Sequence, residues 1–256
     1  MIQVNNLRKS YGDIVAVDGV SFSVATGEVF GILGPNGAGK TTTVEILEGM
    51  RSSDSGSALI NGVDVQKHPQ AVKEIIGIQL QSSSFFDRLN LVEILDVFAS
   101  IYRRQIDAME FLRQVQLADR AKALFKELSG GQKQRFSVAT TLVNDPLVLF
   151  LDEPTTGLDP QARHHMWDLV KRFKDEGRTV LLTTHYMEEA EELCDRVAIM
   201  DHGKIAALDR PDTLVDALLA KGFERPRSER LATLEDVFLD LTGRALRDAG
   251  PETDGQ

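Results

Sequence analysis

The stretch Gly34-Pro35-Asn36-Gly37-Ala38-Gly39-Lys40-Thr41 decides how the rest of the chain reads. An apolar run, Val29–Leu33, precedes it, and Thr42–Met50 follows with Val44, Leu47 and Met50 at helical spacing. Gly-x4-Gly-Lys-Thr between a strand and a helix is the pattern of a phosphate-binding loop. Gly34, Gly37 and Gly39 let the backbone curl round an anion with no Cβ in the way, so that several N–H groups converge on it. The helix that follows turns its positive dipole end toward the same phosphates. Lys40 would neutralise charge at the β/γ position, and the Thr41 hydroxyl would ligate Mg²⁺.

Working outward, the 256 residues suffice for one large domain or two small ones with a substantial core. Hydrophobic residues make up 42% and charged residues 27%, the balance of an ordinary globular protein. A net charge of −10 argues against nucleic acid held through its phosphates and against adsorption on anionic lipid. The one cysteine, Cys194, excludes an internal disulfide and a multi-cysteine metal site and fits a reducing cytosol. No apolar run approaches the ~20 residues that cross a bilayer, and the N-terminus has no signal-peptide pattern. The expectation is a soluble chain that reaches a membrane only through a partner.

Short strands are expected at Ile2–Leu7, Ser21–Val24 and Val29–Leu33, and a hairpin over residues 56–65, where Asn61-Gly62 supplies positive φ. Glu74–Gln81 reads as a strand. From 82 to 144 the pattern turns helical, at Val92–Tyr102, Ala108–Val115 and Gln132–Val143. The apolar run Leu147–Leu151 has the composition of a central parallel strand. Helices at Gln161–Lys174 and Met187–Cys194 then alternate with strands at Thr179–Thr184, Arg196–Met200 and Lys204–Leu208, which argues for a parallel sheet covered by helices. Residues 212–220 and 233–247 read as helical, and 249–256 as a polar, disordered tail. The acidic run Glu188–Glu192 is expected on a solvated helix face, and Cys194 in the core.

Two further constellations bear on chemistry. Asp152-Glu153 follows Leu151 at the carboxyl end of a buried strand, where open α/β sheets bind their ligands. Asp152 would hold Mg²⁺ through water, and Glu153 would position or deprotonate the water that attacks the γ-phosphate. On its own the pair could equally be a solvated strand end before a turn. In Leu128-Ser129-Gly130-Gly131-Gln132, Ser129 is a natural N-cap and the glycines leave N–H groups open at a helix start, a second anion site. Those five residues alone would also suit a plain capped helix.

Taken together, these segments resemble the ATPase subunits of ABC transporters. Gly34–Thr41 and Leu147–Glu153 match the Walker A and Walker B motifs, Leu128–Gln132 matches the family signature, and the likeness runs in order over nearly all of residues 1–210. The resemblance implies a P-loop NTPase (RecA-like) α/β core, with an N-terminal antiparallel β subdomain and an inserted α-helical subdomain. The core would take residues 1–81 and 145–210, the helical subdomain 82–144 and a C-terminal helical extension 211–247. It implies ATP and Mg²⁺ as ligands. Loop residues 34–41 with Thr42 would bind ATP, Tyr11 would stack on adenine, and Gln81 would contact Mg²⁺ and the attacking water. Gln79 lies close by; Gln81 is chosen because Phe85–Leu89 and Val92-Glu93 then fall in family register. His185 matches the switch histidine at the γ-phosphate, and Gly157-Leu158-Asp159 the loop joining two ATP sites. Ser129, Gly130, Gly131, Gln132 and Asp159 would act in trans, completing the site of a second ATPase subunit in a head-to-tail dimer.

The resemblance also implies an integral membrane permease as partner, no direct nucleic acid contact, and a cytoplasmic place on the inner face of the cell membrane. Intact catalytic positions argue against a non-hydrolysing module. A single cassette with no coiled-coil insertion argues against the alternative, a soluble ABC ATPase acting on ribosomes or DNA. Leu234–Arg244 and Ile78–Ser82 resemble bacterial drug-resistance and antibiotic-exporter subunits, so export of a small molecule is the expectation. The short links near Lys221–Arg230 and Arg103–Asp107 depart from those relatives and bear on the partner rather than on catalysis.

Overall fold

The computed structural model describes residues 1–79, 85–223, 237, 240 and 241. The chain opens with β1 (Ile2–Tyr11), β2 (Ile14–Val24) and β3 (Val29–Leu33), then α1 (Lys40–Leu47), β4 (Ser55–Ile60), β5 (Val63–Asp64), α2 (Pro69–Ile75) and β6 (Ile76–Gln79). Three helices follow: α3 (Leu91–Ile101), α4 (Ala108–Gln114) and α5 (Gly130–Thr141). The remainder alternates: β7 (Val148–Asp152), α6 (Pro160–Asp175), β8 (Thr179–Thr184), α7 (Met187–Leu193), β9 (Arg196–Asp201), β10 (Lys204–Asp209) and α8 (Pro211–Ala220).

Two sheets result. Strands β2-β1-β4-β5 form an antiparallel sheet, and β10-β9-β3-β8-β7-β6 form a six-stranded one in which only the β9/β10 pairing is antiparallel. The period of two in the buried strands divides the core. Val29, Leu33, Leu149, Leu151, Val180 and Leu182 face the cluster shared with α3–α7, whereas Phe30, Ile32, Val148, Phe150 and Leu181 face α1, α2 and the antiparallel sheet. Because both faces are covered, these strands are apolar throughout. Between β6 and β7 no strand occurs among the described residues. That helical block is fastened by Phe85, whose ring meets Phe125 at 4.6 Å and Phe136 at 5.3 Å. Among the described residues no helix is long and apolar enough to cross a membrane.

The differences from expectation are local. β1 and β2 are longer than the sequence pattern suggests, meeting at the Gly12 turn, where φ is +57°. Asn61 and Gly62 do adopt positive φ and join β4 to β5. Glu74 and Ile75 are helical rather than extended: Pro69 opens α2 at its first turn, and the apolar Ile75-Ile76 pair hides the change of period. Leu80 and Gln81 lie outside the described residues, as does most of 233–247.

Candidate nucleotide site

The loop 34–39 leaves the carboxyl end of β3, the strand flanked by β8 and β9, and enters α1 at Gly39. Two glycines are dictated by close approach. A Cβ on Gly34 would lie 2.4 Å from the Met200 carbonyl, and one on Gly39 would lie 2.2 Å from the Ala16 carbonyl, at φ +99°. No side chain caps α1, so its first-turn N–H groups are left facing outward from the loop. In front of them opens a cavity of about 360 Å³ lined by Tyr11, Ile14, Val15, Ala16, residues 36–42 and Glu153. Tyr11 is thus brought to the loop from the β1–β2 turn, far away in sequence.

Lys40 is buried and folds back on its own loop, donating to the carbonyls of Gly34 at 2.9 Å and Pro35 at 3.2 Å, with Glu153 Oε1 3.8 Å from its Nζ. Burial lowers its pKa, and Glu153 and Asp152 oppose that shift. Asp152 ends β7 and accepts a hydrogen bond from the Thr183 hydroxyl on neighbouring β8. Burial raises its carboxyl above the ordinary range. Glu153 has left the strand: its φ is +48°, and its N–H donates to Thr183 Oγ1 at 3.0 Å. That left-handed turn carries its carboxylate to His185 Nδ1 at 3.3 Å, and the Thr156 hydroxyl donates to it at 3.1 Å. The His185 contact holds the Glu153 carboxyl below the usual range, with Lys40 adding to the effect, which favours its ionised form.

The other predicted residues lie elsewhere. Ser129 Oγ accepts from the Gln132 N–H at 3.3 Å and the Gln132 side chain accepts from the Ser129 N–H at 2.9 Å, a closed capping box at the start of α5. Ser129 and Gly130 are exposed and do not line the cavity before Lys40. Asp159 caps α6, accepting from the Ala162 N–H at 2.9 Å. The two helix starts abut, since a Cβ on Gly131 would meet Ala162 Cβ at 2.8 Å.

Comparison with known proteins agrees with this geometry. Residues 17–156 match the family model described as ABC transporter. Relatives named Nod factor export ATP-binding protein I include one from Ralstonia nicotianae, 37% identical over 97% of this chain and 95% of its own. Another, from Paraburkholderia xenovorans, is 42% identical over 96% and 98%.

The chain belongs to the ABC transporter family.

It is an ATP-binding subunit and an ATPase of that family. A solved ATP-binding subunit of an ABC transporter superposes with a TM-score of 0.79 at 26% identity, covering 94% of this chain and 99% of that one. A dimeric ATP-binding cassette in a post-hydrolysis state with ADP and Pi superposes at 0.74 with 25% identity, covering 82% and 98%. These likenesses give no support to an action on ribosomes or DNA.

For Mg²⁺, the donors are of the right kind: a hydroxyl at Thr41 in the first turn of α1 and a carboxylate at Asp152 at the end of β7, both hard oxygen ligands. No cluster of three or more His, Cys, Asp or Glu occurs among the described residues. Gln81, the third expected ligand, lies outside the described residues. Sequence reasoning missed three residues that the ABC fold brings in. Thr183 bridges the Asp152 carboxylate and the Glu153 N–H, and Thr156 holds the Glu153 carboxylate. The third, Glu189, is completely buried on α7, between exposed neighbours Glu188 and Glu192 that pair with Arg163 and Lys171. The acidic run is therefore not a uniformly solvated face.

Proposed function

We propose that this ABC ATPase binds MgATP in the cavity before Lys40 and hydrolyses it once a second copy of the chain closes over it, driving a membrane permease in the direction of export. The observation that carries this reading is the split between the two anion-binding helix starts. Lys40 and Glu153 line one cavity, with His185 against the Glu153 carboxylate, while the capped start of α5 contributes nothing to its lining. ATP would lie with its base against Tyr11 and its phosphates over residues 34–42. Lys40 would swing from its loop carbonyls to the β/γ oxygens. Glu153 would orient and deprotonate the attacking water, with His185 and Thr156 fixing its carboxylate. Thr41 and Asp152, with Gln81, would hold Mg²⁺, which when bound offsets charge on the β- and γ-oxygens. Ser129, Gly130, Gly131, Gln132 and Asp159 would reach the nucleotide of the other copy.

A permease has a fitting surface beside β6. A cleft of about 310 Å³ lies between β6 and the helical block, lined by Met50, Ile76, Ile78, Phe98 and Tyr102 among others. Of its lining, Met50 and Tyr102 are large, apolar-bodied and exposed, which suits a partner. Docking there would place the chain on the inner face of the membrane. The export direction rests on the relatives, which are named for export.

Two measurements test the reading. Glu153→Gln should bind ATP normally, lose more than ~100-fold in turnover as expected for a removed general base, and accumulate as an ATP-bound dimer on size exclusion. A variant that stays monomeric in saturating ATP yet hydrolyses it normally defeats the split-site scheme. Tagged full-length chain, recovered from detergent-solubilised native membranes, should bring down a stoichiometric multi-helix membrane protein. Recovery only with ribosomal or DNA-bound factors would overturn the permease assignment.

A further inference from the structure

Glu189 is a buried acid that the nucleotide chemistry leaves unused, and its surroundings are unusual. It is fully buried, on a helix whose other acids meet solvent. Its carboxyl faces the hydroxyls of Thr184 and Thr155 and the indole Nε1 of Trp167, with the Arg163 guanidinium beyond. These groups come from three functional segments. Thr155 lies two residues past Glu153, Thr184 immediately precedes His185, and Trp167 and Arg163 belong to the helix capped by Asp159. Thr184 Oγ1 already accepts from the Tyr186 N–H at 2.9 Å, so its own hydrogen is available to the carboxylate. Thr155 Oγ1, Trp167 Nε1, Arg163 Nε and both Glu189 oxygens are buried, yet none closes a hydrogen bond of ordinary geometry.

We propose that Glu189 is a positioning residue for ATP hydrolysis, a buried acceptor that ties the turn after Glu153, the strand end before His185 and the Asp159-capped helix into one unit. Every polar neighbour can act as a donor, so only a group with acceptors on both oxygens satisfies them together. Burial raises the Glu189 carboxyl above the usual range and the surrounding donors oppose that shift. Through Thr155 and Thr184 the carboxylate sets the spacing of Glu153 and His185, which touch at 3.3 Å. It touches neither nucleotide nor water itself. The inference rests on Glu153 as the base, as proposed above.

The test uses full-length chain carrying Glu189→Gln or Thr155→Val, alone and combined. Glu189→Gln turns an N–H₂ toward donors while keeping the shape, so kcat should fall about 10-fold, the scale of a mispositioned base, with KM for ATP within about twofold. Thr155→Val should lower kcat by less, and the double variant should be no worse than Glu189→Gln alone. Trp167 is the single tryptophan of the chain, so its emission reports this cluster directly. ATP should change that emission in the parent chain and change it less in Glu189→Gln. Parental kcat in Glu189→Gln overturns the proposal, whatever the emission does, and so does a rise in KM equal to the fall in kcat. If Glu189→Gln fails to fold, Thr155→Val decides alone: it must lower kcat at constant KM. Glu153→Gln run in parallel separates the two claims. If it hydrolyses normally, the base assignment fails, whereas an inert Glu153→Gln beside a parental Glu189→Gln defeats the positioning role only.

Discussion

The starts of α1 and α5 are the two helix ends proposed above to meet phosphate, and they are built in opposite ways. At α1 no side chain caps the helix; Gly39 stands at φ +99°, and buried Lys40 is held against the carbonyls of its own loop. At α5 the cap is closed, Ser129 and Gln132 satisfying each other's N–H groups in an exposed turn. An uncapped end leaves its N–H groups for a ligand, whereas a capped end must share them. The first therefore suits a site complete on its own chain. The second suits a group that adds contacts late, when a phosphate arrives on another molecule, and so contributes to the transition state more than to ground-state affinity.

The largest test of this contrast is Gly39→Ala. A Cβ would meet the Ala16 carbonyl at 2.2 Å from a left-handed backbone. Strain of about 1–3 kcal/mol from the backbone alone, with the clash in addition, should abolish ATP binding and lower the melting midpoint by several degrees. Lys40→Ala comes next. It removes the buried cation beside Glu153 and Asp152, leaving two carboxyls to face the phosphates. ATP affinity should fall roughly 100-fold, or about 2.7 kcal/mol, with little change in the melting midpoint of the ligand-free chain. Calorimetric titration with ATP checks both variants; unchanged affinity in Lys40→Ala would displace that residue from the phosphates.

Much of α1's site was legible because its residues are contiguous. Glycines, lysine and threonine within eight positions carry their chemistry in one local turn, and the apolar runs at 29–33 and 147–151 announce buried strands on either side. What stayed hidden depends on partners distant in sequence. Thr183 reads as one more strand residue until β8 lies beside β7 and its hydroxyl meets Asp152. Glu189 looks solvated because its neighbours in the run are, and only the packing of α7 against α6, β3 and β8 buries it with Ala190 and Leu193. The start of α2 was obscured for a different reason: Ile75 and Ile76 are equally apolar, but one ends a helix and the other opens a strand.

Ser129→Ala sharpens the contrast at α5. Losing the cap should cost about 1 kcal/mol of stability, a shift of a few degrees. ATP affinity of the monomer should stay within about twofold, while turnover falls about 10-fold through the lost donor in the closed dimer. Comparing nucleotide titrations with steady-state hydrolysis checks this. Equal losses in both would mean that α5 serves the ground state as α1 does, and the contrast would collapse.

The opposite ends of the two helices give the smallest effect and a distinct one. α5 ends on Leu142, whereas α1 ends on Glu48, a buried carboxyl pushed up to about 8, first by burial and then by Asp152 and Glu45. In the unfolded chain the same group titrates near ~4.3. Between those values the folded chain holds the extra proton, so stability falls as pH rises, by at most ~1.4 kcal/mol per unit. The contribution is complete below about pH 4.3 and lost as pH climbs through the folded value. Glu48→Gln keeps the shape and has no proton to lose. Its melting midpoint should therefore gain on the parent chain steadily from about pH 5 to 8, then hold a lead of a few degrees above that. Midpoints measured in parallel across the range decide it. Curves that run parallel would mean that Glu48 is ionised in the folded chain, and α1 would then end on a buried charge that burial alone argues against.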